Sequence, residues 1–279
     1  MKNKILEEQL TSYIVYLEQE ERSCATRNQY RRDISYFLAF WGEEELAKET
    51  LLNYKERLEE KYQPASVNAK LVALNGFFTF IGRRDLHLKL LKIQNKAYCS
   101  ADKLLTKAEY MRLVQAAEKR QNKRLSLLLQ TICSTGIRVS ELQFITAEAV
   151  AKGEAVVKMK GKTRTILIPG KLRKALKGYL RREGIVAGAV FVTKTGRPLD
   201  RSNIWKMMKS LCEDAGVNAD KVFPHNLRHL FARTFYALDK DIAKLADILG
   251  HSNINTTRIY IITTGQEHLR RMNALGLVV

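Results

Sequence analysis

The segment Thr135-Gly-Ile-Arg-Val-Ser-Glu-Leu142 places an arginine directly after a glycine turn and a carboxylate three positions further on. A guanidinium group can bind two phosphate oxygens through forked hydrogen bonds. Arg138 is therefore a candidate phosphate clamp, with Glu141 as the residue that holds it. The alternative is a buried Arg–Glu pair with a purely structural role.

A second arginine stands in the segment Pro224-His-Asn-Leu-Arg-His229. Pro224 predicts the start of a helix, and His225 and Arg228, three positions apart, point the same way from its first turn. Because the N-terminus of a helix attracts anions, this pair also indicates a phosphate site. His229 is expected to face elsewhere and to be structural.

A tyrosine follows a histidine in the segment Leu249-Gly-His-Ser-Asn-Ile-Asn-Thr-Thr-Arg-Ile-Tyr260. The sequence predicts a helix that ends at Gly250, with His251 in the turn and a new helix from residue 256 or 257. Taken alone, Tyr260 would be assigned to a core.

A basic hairpin is predicted between residues 154 and 169. Two runs rich in β-branched residues, Val156-Val-Lys-Met159 and Thr165-Ile-Leu-Ile168, flank a tip that contains Lys160 and Lys162. A flexible basic hairpin can enter a DNA groove, and a solvated tip without a ligand is the alternative.

Taken in order, T-G-x-R-x-x-E-L, the lysine-tipped hairpin, H-x-L-R-H and L-G-H-x(8)-Y resemble the motifs of the tyrosine recombinase/integrase family of DNA strand-transfer enzymes. The resemblance covers essentially the whole chain. It implies a mainly α-helical protein with an N-terminal four-helix, SAM-like core-binding domain and an α+β catalytic domain that holds a small β-sheet or hairpin.

The resemblance also assigns the roles of the site residues. It makes Arg138 and Arg228 the phosphate clamps, Lys160 the hairpin lysine, His225 the first histidine, His251 the position that is His or Trp in the family, and Tyr260 the nucleophile. The hairpin is one residue shorter than the family's usual G-K-G-N-K-x-R, so Lys160 is preferred and Lys162 is the alternative.

The implied reaction forms a 3′-phosphotyrosyl bond and frees a 5′-hydroxyl, which allows integration, excision or inversion of DNA. Attack builds negative charge on the phosphate, and two guanidinium groups offset it at neutral pH. We therefore expect no metal ion or other cofactor. His225 is the predicted general base, Lys160 the general acid, and His251 a hydrogen-bond partner of the phosphate.

Hydrophobic periodicity divides the chain into two domains and a linker. Residues 1–87 form the helical core-binding domain, residues 88–103 are a linker with four lysines, and residues 104–279 form the catalytic domain. Helices are predicted in the first domain at 5–20, from Thr26 as N-cap to Gly42, at 49–61, and from Pro64 to Gly82. Their aromatic residues are interpreted as core rather than as base-stacking groups.

In the second domain, Thr106 begins a capping box and Asp241 is the predicted cap of a later helix. Helices are expected at 107 onwards, 124–134, 171–183, 201–215, 224–238, 241–249 and 265–275, with a short strand at 190–192. The amphipathic tail after Tyr260 packs either on its own chain or, as in related enzymes, on a neighbouring protomer of a homotetramer on synapsed DNA sites.

The chain holds 48 Lys+Arg against 29 Asp+Glu, a formal net charge of +19. Residues 1–100 carry a net +2 and residues 101–279 a net +17. Such an excess attracts polyanions, so double-stranded DNA is the expected partner. Accessory DNA-binding proteins are further partners that the resemblance allows.

The four cysteines are scattered and lack metal-ligand spacing, which is typical of reduced thiols inside the cell. The longest apolar stretch, Ile185–Val192, is too short for a membrane span. We expect a cytoplasmic protein without membrane association.

Three other functions would explain parts of this sequence. A type IB topoisomerase uses similar chemistry, but the short helical first domain favours a recombinase. A DNA-binding protein without catalysis is disfavoured because all six site residues are present. A general nucleic-acid-binding protein explains the charge and leaves the motifs unexplained.

Overall fold

The computed structural model describes residues 2–42, 46–93, 101–159, 161–193, 195–261, 269–270 and 272–276. They form mainly α-helices and one two-stranded antiparallel sheet, which confirms the predicted fold class. The chain divides into two compact units, Met1–Asn95 and Lys96–Val279. Among the described residues, no helix is both long and apolar enough to span a membrane.

Four helices build the first unit, as the periodicity predicts. They are α1 (Lys2–Gln19), α2 (Cys24–Trp41), α3 (Lys48–Lys61) and α4 (Pro64–Phe80). The expected cap of α2 is wrong by three residues, because the side chain of Ser23 accepts a hydrogen bond from the backbone N–H of Thr26.

Aromatic side chains form the core of the first unit. Phe37, Tyr54 and Phe78 are fully buried, and Phe37 meets the other two edge-on at ring distances of 5.1 and 5.9 Å. Their interpretation as core residues is confirmed. Asn75 hydrogen-bonds both backbone groups of Leu88, so the chain beyond residue 87 still packs on α4.

Eight helices are described in the second unit. They are α5 (Lys107–Lys119), α6 (Lys123–Thr135), α7 (Ala147–Lys152), α8 (Gly170–Glu183), α9 (Arg201–Lys209), α10 (Pro224–Asp239), α11 (Ile242–Leu249) and α12 (Ile254–Ile261). The Thr106 capping box, the Asp241 cap and the end of α11 at Gly250 are confirmed. Three details were wrong: α9 is six residues shorter than expected, α12 begins at Ile254, and the strand at 190–192 is absent.

The segment 190–192 is largely buried, but it does not form the expected β-strand. Val190 and Phe191 are almost fully buried, but their neighbours form only isolated bridges, Thr146 with Ala189 and Val192 with Pro198. The apolar run therefore reflects a core position, not pairing in a sheet. Of the expected helix at 265–275, only residues 269–270 and 272–273 are described as helical.

The predicted hairpin is present. Strand β1 (Glu154–Met159) pairs antiparallel with β2 (Lys162–Leu167), and Met159 lies opposite Lys162. Val157 and Ile166 face the core with 3% of their surface exposed. Lys160 and the side chain of Lys162 lie outside the described residues.

Helix α6 lies in the middle of the second unit. Its apolar residues Leu125, Leu127, Leu128, Leu129 and Ile132 are buried. The polar residues Ser126, Thr131 and Thr135 are buried as well, so most of the helix surface is enclosed by the core. Its C-terminal end therefore has a fixed position, and the segment with Arg138 begins there.

Candidate active site

The turn after α6 requires glycine for two reasons. Gly136 has a φ of +61°, in the left-handed region, and a Cβ added to it would overlap the ring of Phe231 on α10. A side chain would meet both backbone strain and a clash. Gly136 thus lets the chain turn tightly between α6 and Arg138.

Arg138 is held by the carboxylate three residues later. Its backbone N–H donates to Oε2 of Glu141 at 2.9 Å, and its Nη1 donates to Oε1 at 3.0 Å. Its Nη2 donates to the carbonyl of Gly250 at 3.3 Å. The side chain keeps 39% of its surface exposed, so its guanidinium group is still accessible to a ligand.

Glu141 is shared with a third arginine that the sequence analysis did not assign to the site. Nε of Arg164 donates to Oε1 at 3.3 Å, and Nη2 donates to Oε2. Burial alone would raise the pKa of Glu141, but the hydrogen bond from Arg164 and the contacts with Arg138 hold it below its ordinary value. The carboxylate therefore stays ionised between the two guanidinium groups. The signal that could have identified Arg164 was its place at the end of the family's hairpin pattern.

Arg228 is buried, with 1% of its surface exposed. Its Nη1 donates to the carbonyl of Gly136, and its Nη2 donates to the carbonyl of Leu249 at 2.8 Å. Both carbonyls belong to helix C-terminal ends, which carry partial negative charge. Burial, followed by the charge of Arg138, lowers the pKa of Arg228 to about 10. The guanidinium group therefore remains charged at neutral pH.

The hydrogen bonds of His251 define its tautomer. Its Nε2 lies 2.9 Å from Nη2 of Arg228, and a guanidinium group can only donate, so Nε2 accepts. In the neutral ring the proton is then on Nδ1, which donates to Oγ1 of Thr257 at 2.9 Å. Burial, followed by the charges of Arg228 and Arg138, lowers the pKa of His251 to about 4.

Tyr260 lies one turn after Thr257 on α12 and is 5% exposed. Its ring packs against the rings of His225 and His251, at 5.2 Å each, and lies over the guanidinium group of Arg228 at 5.6 Å. The structure thus brings five of the six predicted site residues together. The sixth, Lys160, lies outside the described residues.

The expectation that His229 faces elsewhere is wrong. Its ring lies 4.3 Å from that of Tyr260 and 4.8 Å from that of His225. Residues four positions apart share a helix face, which makes His229 a neighbour of His225. Burial, followed by the interaction with His225, lowers the pKa of His229 to about 4. The pKa of His225 is lowered by partial burial of its ring, followed by the charges of Arg228 and Arg138. All three histidines are neutral at pH 7.

Two sequence patterns match the chain. That of the phage integrase family matches residues 103–267, and that of the phage integrase N-terminal SAM-like domain matches residues 10–85. The chain belongs to the phage integrase family.

Curated and solved relatives specify the kind of enzyme. Tyrosine recombinase XerA of Pyrococcus furiosus is 33% identical, over 99% of this chain and 96% of its own length. A crystal structure of XerA recombinase is 26% identical, covers 98% of this chain and 99% of its own, and has a TM-score of 0.55. A lambda integrase tetramer bound to a Holliday junction shares the fold, with 18% identity, 91% and 76% coverage and a TM-score of 0.73. The family's enzymes are tyrosine recombinases, which break and rejoin DNA.

The lowered pKa of His229 predicts an acid-sensitive second unit. The unfolded chain takes up a proton near pH 6.5, whereas the folded chain does so only near pH 4, so stability falls as the pH drops between these values. Between pH 6.5 and pH 5 we expect His229→Gln to lose roughly 2 kcal/mol less unfolding free energy than the wild type. Urea unfolding followed through Trp205 measures it, with His87→Gln in the first unit as control. An equal loss in the wild type and His229→Gln would contradict the assignment.

Thr257 is predicted to orient His251 for catalysis. It is fully buried and accepts the Nδ1 proton. Thr257→Val keeps the shape and loses the acceptor, so we expect adduct formation with DNA to slow by about 10-fold or more, whereas Thr257→Ser stays close to wild type. Single-turnover rates measure this difference. Equal rates for the Val and Ser variants would show that the hydrogen bond has no such role.

Proposed function

We propose that this chain, a site-specific tyrosine recombinase, cuts one strand of a double-stranded DNA site with Tyr260 and keeps the strand end as a 3′-phosphotyrosyl bond. The observation that carries the proposal is the position of the Tyr260 ring, over Arg228 and against His225 and His251. A tyrosine surrounded in this way lies beside both a phosphate clamp and a proton acceptor.

The two clamps differ in accessibility. Arg138 is 39% exposed in its side chain, whereas Arg228 is 1% exposed and both of its terminal nitrogens donate to the protein. A phosphate can reach Arg228 only if a covering side chain moves, and Tyr260 lies over it. We infer that DNA first meets Arg138 and that the Tyr260 ring then shifts to admit the phosphate.

Proton transfers follow from the charges of the site. His225 is neutral at pH 7 because its pKa is lowered, so it can accept the phenolic proton as Tyr260 attacks. The bond from Oη to phosphorus forms as the bond from phosphorus to the 5′ oxygen breaks. Lys160 supplies the proton that this leaving oxygen needs. Attack by the 5′-hydroxyl of another strand reverses the step and completes the strand exchange, without ATP.

His251 changes its role when the phosphate arrives. In the free chain its Nε2 accepts a hydrogen bond from Arg228, whereas an ionised phosphate oxygen offers only acceptors. His251 therefore contacts the phosphate as a donor only after Nε2 gains a proton. The negative charge of the phosphate favours this protonation.

The tail supports assembly with other protomers. Leu269, Met272 and Leu275 are 57–64% exposed in the single chain. Exposed apolar side chains that cluster in this way mark a surface that can bind a partner. We infer that it docks on a neighbouring protomer and joins four copies on paired DNA sites, for integration, excision or inversion. The lambda integrase tetramer on a Holliday junction is consistent with this arrangement.

Tyr260→Phe is expected to abolish the covalent adduct and leave DNA binding nearly unchanged, because it removes only the hydroxyl. The measurement uses a nicked suicide substrate with the recognition sequence, searched for in the DNA that flanks the gene. Wild type and variant are incubated in excess EDTA, and a denaturant-resistant protein–DNA band is scored.

Two outcomes of this assay and one outcome of a separate plasmid assay oppose the proposal. An adduct with Tyr260→Phe would show that another residue is the nucleophile. A strict Mg²⁺ requirement would contradict stabilisation by arginines alone. Relaxation of supercoiled plasmid without site preference would favour a topoisomerase.

A second assay separates the two hairpin lysines. In a substrate with sulfur as the 5′ bridging atom, the leaving group needs no proton. We expect Lys160→Ala to cleave ordinary DNA about 100-fold more slowly than wild type and to regain most of the rate on the sulfur substrate. Lys162→Ala is the matched control, and rescue of that variant instead would reassign the general acid to Lys162.

A further inference from the structure

Arg164 on β2 joins three separate segments of the site. Its Nε and Nη2 donate to the two oxygens of Glu141, in the turn that follows Arg138. Its Nη1 donates to the carbonyl of Ile248, at the end of α11, at 2.7 Å. The hairpin, the Arg138 turn and the α11 end are therefore linked by one guanidinium group.

The turn after α11 leaves room for the side chain of Arg164. Gly250 has a φ of +64°, and a Cβ there would overlap Cδ of Arg164. The carbonyl of the same Gly250 accepts a hydrogen bond from Nη2 of Arg138. Arg164 thus packs against the residue that accepts from Nη2 of Arg138, and it binds the carboxylate that accepts from Nη1.

Arg164 is not itself placed to bind DNA. Its side chain is 14% exposed, and Nε, Nη1 and Nη2 each donate to the protein. The side chain of Arg138 is 39% exposed. Arg228 differs from Arg164, because its Nε has no hydrogen-bond partner and the Tyr260 ring that lies over it can move. Each guanidinium nitrogen of Arg164 has an acceptor inside the protein, so Arg164 acts through the groups that it holds.

The buried charge of Glu141 indicates how the site would change without Arg164. Glu141 is 4% exposed, and a buried carboxylate is stable only when it is paired and hydrogen-bonded. Removing Arg164 leaves Arg138 as the remaining described cation on Glu141. Arg138 would then be drawn towards the carboxylate and away from a phosphate.

We propose that Arg164 is a positioning residue that orients Arg138 towards the scissile phosphate through Glu141 and the Gly250 turn. This inference rests on the proposed function, because the reaction supplies its readout. Arg164 contributes to the rate of strand cleavage and not to the affinity for DNA.

A double-mutant cycle tests the proposal with wild type, Arg164→Gln, Arg138→Ala and the double variant. Single-turnover adduct formation is measured over a range of concentrations of the suicide substrate. We expect Arg164→Gln to lower the maximal rate by about 100-fold and to change the half-saturating DNA concentration by less than about 2-fold. In the Arg138→Ala background, the same substitution should lower the rate by less than about 2-fold, because the residue that it positions is already absent.

Arg164→Lys is the second variant, in case the glutamine does not fold. It keeps the charge, but an ammonium group cannot span Glu141 and Ile248, so we expect a comparable loss of rate. Arg173 is the matched control, since its Nε donates to the carbonyl of Val150 at 2.9 Å and it ties α8 to α7. Arg173→Gln should lower stability and leave the adduct rate unchanged.

Each result separates the inference from the proposed function. Without a wild-type adduct, the proposed function fails. With a wild-type adduct, the positioning role is overturned by an unchanged rate in the Arg164 variants, by an equal loss in both backgrounds of the cycle, or by an equal loss in Arg173→Gln.

Discussion

The constraint on which the site depends is the need of buried guanidinium groups for acceptors. A buried charge is tolerated only when its hydrogen bonds are made inside the protein. The chain meets most of this need with carbonyls at the ends of α6 and α11 and with one carboxylate, Glu141, and leaves Nε of Arg228 without a partner. These groups carry full or partial negative charge, so they hold the positively charged arginines.

The local geometry of the second unit follows from this requirement. Carbonyls become available where a helix ends, and both helices end at a glycine in the left-handed conformation, Gly136 and Gly250. Neither position has room for a Cβ, because Phe231 packs on one and Arg164 on the other. The two helix ends therefore bind the arginines, and their final positions are packed too closely to hold any residue other than glycine.

The arrangement also leaves an unbalanced charge. Arg138 and Arg164 share one carboxylate, Glu141. Arg228 beside them bonds only uncharged groups among the described residues, namely two backbone carbonyls and His251. The charges of the three arginines contribute to the lowered pKa of His251, which stays neutral beside them. A phosphate would supply the missing negative charge. The same excess that attracts DNA thus prepares neutral histidines for proton transfer.

Features that depend on neighbours along the chain could be predicted from the amino-acid sequence. The capping box at Thr106, the end of α11 at Gly250 and the pairing of Arg138 with Glu141 are contacts within a few residues. The order of the motifs was sufficient to indicate the family.

The contacts that join distant segments could not be predicted, because they depend on how the chain packs in three dimensions. Arg164 lies 23 residues from Glu141 and 84 from Ile248, and no local pattern predicts such partners. The tautomer of His251 likewise depends on Arg228, 23 residues earlier in the chain. Local contacts are determined by the backbone geometry of one helix or turn, whereas these contacts exist because packing of the core brings the ends of α6, α11 and β2 together.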